Sequence, residues 1–338
     1  MQEQNHHNIS DHDTAVAFYQ DRYAQGYMDA WPTEKKDRVF EIVRELDLPA
    51  TGEALDFGCG NGIFTDIIRQ ALPTGWKVYG TDISNVAISN AKLRYPECTF
   101  FASDDIKSTN KKFDYLFTHH TLEHVYNIDA AINDICNLMN VSSSMLHILP
   151  CGNKGSLEHA ICSLRVLGID NGSGGRFFFE DKGHLRRLTT DALRNKLSIH
   201  GFHLSKQYYS NQHYGSISWI VHSLKTILDI TDYHMAVSKL ALLKLIFLRV
   251  RLISYWFSNT VVASVESTTY NRCINLRCSA SFLVKSLLYV FAKPISKYLL
   301  NRIQKEWNTR KTDNRGSEMY LYFKRPNSYS SNNEHRND

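Results

Sequence analysis

Apolar and polar positions along this chain fall into two periods, and the switching between them lays out the elements. Thr14–Gln25 and Thr33–Leu46 carry apolar residues three and four apart, the spacing of amphipathic helices. Short apolar runs follow at about 53–58, 77–82, 98–103, 113–118 and 145–150, with helical stretches between them. Runs that short and that apolar suit strands buried on both faces. Strand–helix repetition of this kind builds a doubly wound α/β fold, a parallel sheet with helices on either side. Further on, a helix over 190–200 has Thr189 or Thr190 as its cap and Gly201 as its stop.

The end of the first predicted strand carries the strongest chemical signal. Leu55-Asp56-Phe57-Gly58-Cys59-Gly60-Asn61-Gly62 runs a strand into three alternating glycines, and Ile63–Ala71 has helical spacing. Glycines there allow backbone to approach a ligand and to take positive φ. The corner is a nucleotide-binding one, yet Gly-x-Gly-x-Gly differs from the Gly-x-Gly-x-x-Gly of a dinucleotide fold. Asp56, ahead of the first glycine, would repel a pyrophosphate and suits an ammonium group. That spacing argues against a nicotinamide oxidoreductase. Asp82 closes the second strand twenty-two residues after Gly60, where a carboxylate accepts hydrogen bonds from a ribose diol. Ribose and amine without phosphate describe S-adenosylmethionine.

On these residues the chain resembles the class I S-adenosylmethionine-dependent methyltransferases, in particular their small-molecule, quinone-pathway-like group. The resemblance covers roughly residues 35–211 and the last strand. It implies that Asp56, Gly58, Gly60, Gly62, Asp82 and Ile83 bind the cofactor. It also implies that Asp104 or Asp105 reads the adenine amine and that Thr118 and His119 line the methionine end. It further implies a sixth strand at 202–209 and a seventh at 318–324, so the expected fold is a seven-stranded, mostly parallel sheet with a helical insertion before the last strand. Gly183-His184-Leu185-Arg186 falls on the acceptor side.

Methyl transfer asks mainly for placement of the acceptor, and a hydroxyl acceptor also gains from a base near neutral pKa. His119, His120, His124 and His184 are the candidates, with His184 and His120 favoured; an amine or carboxylate acceptor would need none. The expected reaction is methylation of a small-molecule, sugar or lipid-linked acceptor. The alternative is a catalytically inactive relative that keeps the pocket and uses its insertion for partner or membrane docking.

Between the sixth and seventh strands lie about a hundred residues with fifteen Lys and Arg against five Asp and Glu over 215–315. The whole chain is +5, so the remainder nets −5 and the basic character is local. Lys239–Phe257 and Ser281–Ile303 are helical in pattern and apolar over most of their circumference. Neither has eighteen uncharged apolar residues, so neither is expected to span a membrane. Two readings stay open: a helical subdomain or homodimer that buries these faces, and peripheral membrane contact through 239–303. The charge is too diluted by apolar residues for nucleic acid.

Length and composition fit this picture. A chain of 338 residues can bury one large core with an appended subdomain. Seven cysteines without a signal-like N-terminus point to a reducing cytoplasm, with the inner face of a membrane as the alternative site. His6-His7 and the pair Cys273 and Cys278 lack further ligands, so no metal is expected. The expected organisation is a lead and lid helix over 1–34, whose aromatics Phe18, Tyr19, Tyr23, Tyr27 and Trp31 either close over the cofactor or pack on the sheet. The methyltransferase core follows over 35–214, the insertion over 215–315, the last strand over 316–326 and a disordered tail over 327–338.

Overall fold

The computed structural model describes residues 9, 11–172, 174–272 and 280–326. His6, His7, Cys273, Cys278 and the 327–338 tail lie outside the described residues. Strands β1 (Thr51–Phe57), β2 (Gly75–Asp82), β3 (Thr99–Ala102), β4 (Phe113–His119), β5 (Met139–Pro150), β6 (His203–Ser210) and β7 (Glu318–Arg325) form one sheet in the order β3-β2-β1-β4-β5-β7-β6. β1 pairs in parallel with β2 and β4, β2 with β3, and β4 with β5. The seven-stranded, mostly parallel sheet is thus the predicted one. Chain order reverses between β1 and β4, where an open parallel sheet leaves a crevice at its carboxyl ends. Leu55, Leu116, Phe117, Leu146 and Ile148 are fully buried in the middle of it.

Several boundaries moved, each for a local reason. β1 and β2 begin two residues early because Gly52 leaves room for the Trp76 ring, whose Nε1 donates to Pro49 O at 2.8 Å. β5 begins at Met139 through a polar stretch in which Asn140 donates to Asp114 at 2.6 Å. Helix α1 (His12–Ala24) starts ahead of Thr14 because Asp11 caps it, accepting from Thr14 N at 2.9 Å. Helix α2 spans Thr33–Arg44, α3 Ile63–Ala71 and α4 Asn85–Arg94. β3 ends at Ala102, and Asp104 and Asp105 sit instead in the first turn of α5 (Ser103–Ser108), where acids complement the helix dipole. Helix α6 spans Ile128–Asn137, α7 Leu157–Ser163 and α8 Thr190–Ser198, the last capped by Thr189.

The chain divides into two compact units. One holds the chain up to Pro150, Lys182–Gln207 and the chain from Met319; the other holds Cys151–Asp181 and Tyr208–Glu318. Residues 151–181, expected in the core, therefore belong with the helical segment. That second unit contains α7, α9 (Tyr214–Ile220), α10 (Leu224–Ile230), α11 (Lys239–Arg272) and α12 (Ala280–Arg310). Ile217, Ile220, Ile227, Leu245, Leu252 and Leu299 form its core. Arg249 donates to Leu228 O and Thr231 O, closing the carbonyl end of α10, and buried Glu306 accepts from the backbone N–H groups of His213, Tyr214 and Gly215 at the start of α9. Among the described residues, no helix is long and apolar enough to cross a membrane.

Candidate active site

The glycine turn is pinned to β2. Gly58 and Cys59 N–H both donate to Thr81 O, at 2.8 and 2.9 Å. Gly58 has φ +81, and a Cβ there would stand 2.3 Å from the Thr121 side chain; at Gly60, φ +51, it would meet the Tyr23 hydroxyl at 2.6 Å. A side chain at either position would sit on a strained backbone and force its neighbour to move. Asp82 is clamped by two backbone donors, Gly60 N and Ser84 N, each at 2.9 Å.

Above the turn lies a cavity of about 460 Å³, within the range of small-molecule sites. Asp56, Gly58, Gly60, Asp82, Ile83, Asp104, His119, His120, His124 and His184 all line it. Gly62, Asp105 and Thr118 do not. Gly62 backs onto Ala91, Tyr95 and Phe100, Asp105 is exposed on α5, and the Thr118 hydroxyl pairs with His147 Nδ1 at 2.8 Å. Of the N-terminal aromatics, Tyr19, Tyr23, Tyr27 and Trp31 line the cavity. Phe18 instead packs edge-on against Tyr19.

The two ends of the cavity differ in electrostatics. Burial pushes the Asp56 carboxyl up to about 7, opposed by a 2.6 Å hydrogen bond from the Thr65 hydroxyl and helped by nearby Asp82. Burial also raises Asp82, against its backbone hydrogen bonds. Both acids therefore favour a cation beside them.

At the other end, sequence reasoning missed the organising group. Glu123 lies just outside the cavity lining and is fully buried, which by itself would raise its pKa. The close approach of His120 and the neighbouring His124 and His184 reverse this and hold it at about 2. Its Oε1 stands 2.9 Å from His120 Nδ1 and 4.0 Å from the Nε2 atoms of His124 and His184. Tyr19 Oη and His124 Nδ1 are 2.8 Å apart, so α1 reaches into the same cluster. Leu185 N donates to Glu123 O at 2.8 Å, and Arg186 donates to the carbonyls of Val125 and Tyr126, tying the 183–187 stretch to the loop after β4. The sequence marked His120, His124 and His184 as candidate bases but not the carboxylate they share, since Glu123 is a single acid beside His124 and His184 arrives from sixty residues away. Glu123, His124 and His184 present donor atoms within 4.8 Å of one another, a spacing that could take a metal ion and that the sequence reading did not assemble. His119 has a packing place, its ring 3.8 Å from that of Phe64 and 4.6 Å from that of Trp31.

A family model described as "Methyltransferase domain" matches residues 19–207, more than half of the chain. The chain belongs to the S-adenosylmethionine-dependent methyltransferases. Within the family it is 32% identical, over 106 residues, to the "Putative methyltransferase 235L" of Invertebrate iridescent virus 6, covering 31% of this chain and 39% of that one. It is 36% identical over 64 residues to the trans-aconitate 2-methyltransferase of Variovorax paradoxus (strain S110), covering 19% of this chain and 24% of that one. The matches thus span well under half the length of either curated relative. The magnesium protoporphyrin IX methyltransferase of Synechocystis PCC 6803, solved with bound SAH, aligns with TM-score 0.42 at 20% identity over 58% of this chain and 90% of that one. The family's cofactor is S-adenosylmethionine. The cavity fits it: a turn held at positive φ by closely packed glycines, a clamped acid at the end of β2, and a second buried acid that favours a cation.

Proposed function

We propose that this protein transfers the methyl group of S-adenosylmethionine to a hydroxyl of a small-molecule acceptor, a sugar or lipid-linked compound included. Bound S-adenosylmethionine supplies a methyl group already activated by its sulfonium. The chain's own residues bind, orient and move one proton. Asp82 would hold the ribose diol, the Gly58–Gly60 turn would let the backbone close on the ligand, and Asp56 would sit by its positive charge. Asp104, at the first turn of α5, stands on the adenine side. Tyr19, Tyr23, Tyr27 and Trp31 cover the cavity and exclude water.

The observation that carries the hydroxyl reading is the buried Glu123 carboxylate under His120. A carboxylate at 2.9 Å from Nδ1 stabilises the imidazolium that forms when Nε2 takes the acceptor's proton. His124 and His184 share that carboxylate and shape the acceptor end. The test is incubation with methyl-labelled S-adenosylmethionine and extract of the protein's own cells, followed by fractionation into lipids, polymers and small molecules. Label should enter a hydroxyl-bearing lipid or small molecule. His120→Asn, chosen because asparagine tolerates the φ of +51 at this position, should lower the rate about a hundredfold with cofactor binding intact. Absence of label from protein that binds the cofactor, or an unchanged rate in the variant, would overturn the proposal.

A further inference from the structure

The second unit carries an apolar surface that its own core does not use. On α11, Ala241, Leu245, Leu252 and Tyr255 are buried, whereas Leu240, Leu243, Phe247, Val250 and Phe257 lie on the opposite side, 45–74% exposed. At 100° per residue these five fall within one arc of about 100°. Exposed Lys239 stands at one edge of that arc, and Lys244 and Arg251 stand at the other. Helix α12 repeats the arrangement. Ala292, Ser296 and Leu299 face inward, while Val284, Leu287, Phe291, Ile295 and Tyr298 are 39–75% exposed, with Lys297 and Lys305 also at the surface. Ten large apolar side chains in solvent on two paired helices go beyond the scattered singles of an ordinary surface.

Charge selects the occupant. The acids of α11 and α12 are Glu266 and Glu306; Glu306 is buried as the cap of α9, and Glu266 meets Lys293 at 3.9 Å and Tyr289 at 3.0 Å. On these two helices no further acid offsets the lysines and arginine that border the apolar side chains. A second copy docked through the same face would bring like charges together. An anionic lipid surface offers hydrocarbon for the apolar arc and headgroups for its basic edges. We propose that α11 and α12 dock this protein on an anionic membrane surface, lying in the interface rather than crossing it.

The test uses the full chain and large unilamellar vesicles, of phosphatidylcholine alone or mixed equally with phosphatidylglycerol, in a sedimentation assay. Wild type should bind the mixed vesicles at low salt and bind phosphatidylcholine at least tenfold more weakly. F247E/V250E alters only exposed positions and should lose at least tenfold in affinity with an unchanged melting temperature. K239E/K244E/R251E should lose about a hundredfold, since each basic residue near an anionic surface contributes roughly a factor of five. No binding to the mixed vesicles would overturn the proposal, as would binding that both variants retain. A dimer in analytical ultracentrifugation that F247E/V250E splits would also overturn it and assign the face to a second copy. None of these outcomes touches methyl transfer to a water-soluble acceptor, so this proposal and the proposed activity fail separately.

Discussion

Asp56 should couple cofactor binding to a proton. Burial raises its carboxyl to about 7 from an ordinary 3.8, so in the ligand-free protein it is half protonated near neutrality. A cationic ligand beside it favours the carboxylate and should return it towards its ordinary range. Binding then releases close to one proton at pH 6, and affinity for S-adenosylmethionine should be about tenfold weaker at pH 6 than at pH 8. Calorimetry at pH 6 in buffers of different ionisation enthalpy reads the proton directly. Asp56→Asn keeps the shape and an acceptor for the Thr65 hydroxyl while removing the titration. The cofactor's own amine titrates with both proteins, so the difference between them isolates Asp56. The same shift predicts stability. A carboxyl with a raised folded-state pKa contributes fully below 3.8, and that contribution is lost as pH rises through 7. A shift of that size corresponds to about 4 kcal/mol at most, so the ligand-free Asn variant should melt higher than wild type at pH 8 and level with it near pH 4. Proton release that persists in Asp56→Asn, or its absence in wild type at pH 6, would refute the reasoning.

Further outcomes follow from the same site. Glu123, held at about 2 against an ordinary 4.5, contributes stability that is present above pH 4.5 and lost as pH falls towards 2. Glu123→Gln should therefore cost about 3 kcal/mol in urea unfolding at pH 5.5 and should flatten the acid limb of the stability profile. Gly58→Ala should abolish measurable cofactor binding, because the backbone alone costs roughly 1–2 kcal/mol at that φ and the new methyl overlaps Thr121. Adding Thr121→Gly should relieve the overlap and restore only part of the melting temperature. Tyr19→Phe removes the partner of His124 Nδ1 and should lower stability by about 1 kcal/mol, read from the denaturant midpoint, with cofactor affinity little changed.

How far the site was legible depended on where its residues lie in sequence. Asp56, Gly58, Gly60 and Asp82 were readable because a parallel sheet places its ligands at strand ends, and strand ends are visible as the close of apolar runs. Thr118 stands one residue before the tip of β4, and because strand side chains alternate its hydroxyl turns to His147 while His119 lines the cavity. Asp104 reached the cavity from the first turn of a helix, not from a strand end, because the chain turns at Ala102. The aromatics of α1 were visible as a cluster, but whether they faced ligand or sheet needed coordinates.

By itself the sequence determined the fold class, the glycine turn and the acid at the end of β2, since periodicity and glycine chemistry act over a few neighbouring residues. It also determined that the basic charge is gathered in one segment. Only the tertiary structure decided that Glu123 sits beneath three histidines. Burial there is a property of everything packed around it, and one member of the set is sixty residues away. Only the structure, too, showed which apolar residues of α11 and α12 stay in solvent. A helix that is apolar most of the way round does not reveal from its pattern which arc its neighbours will cover.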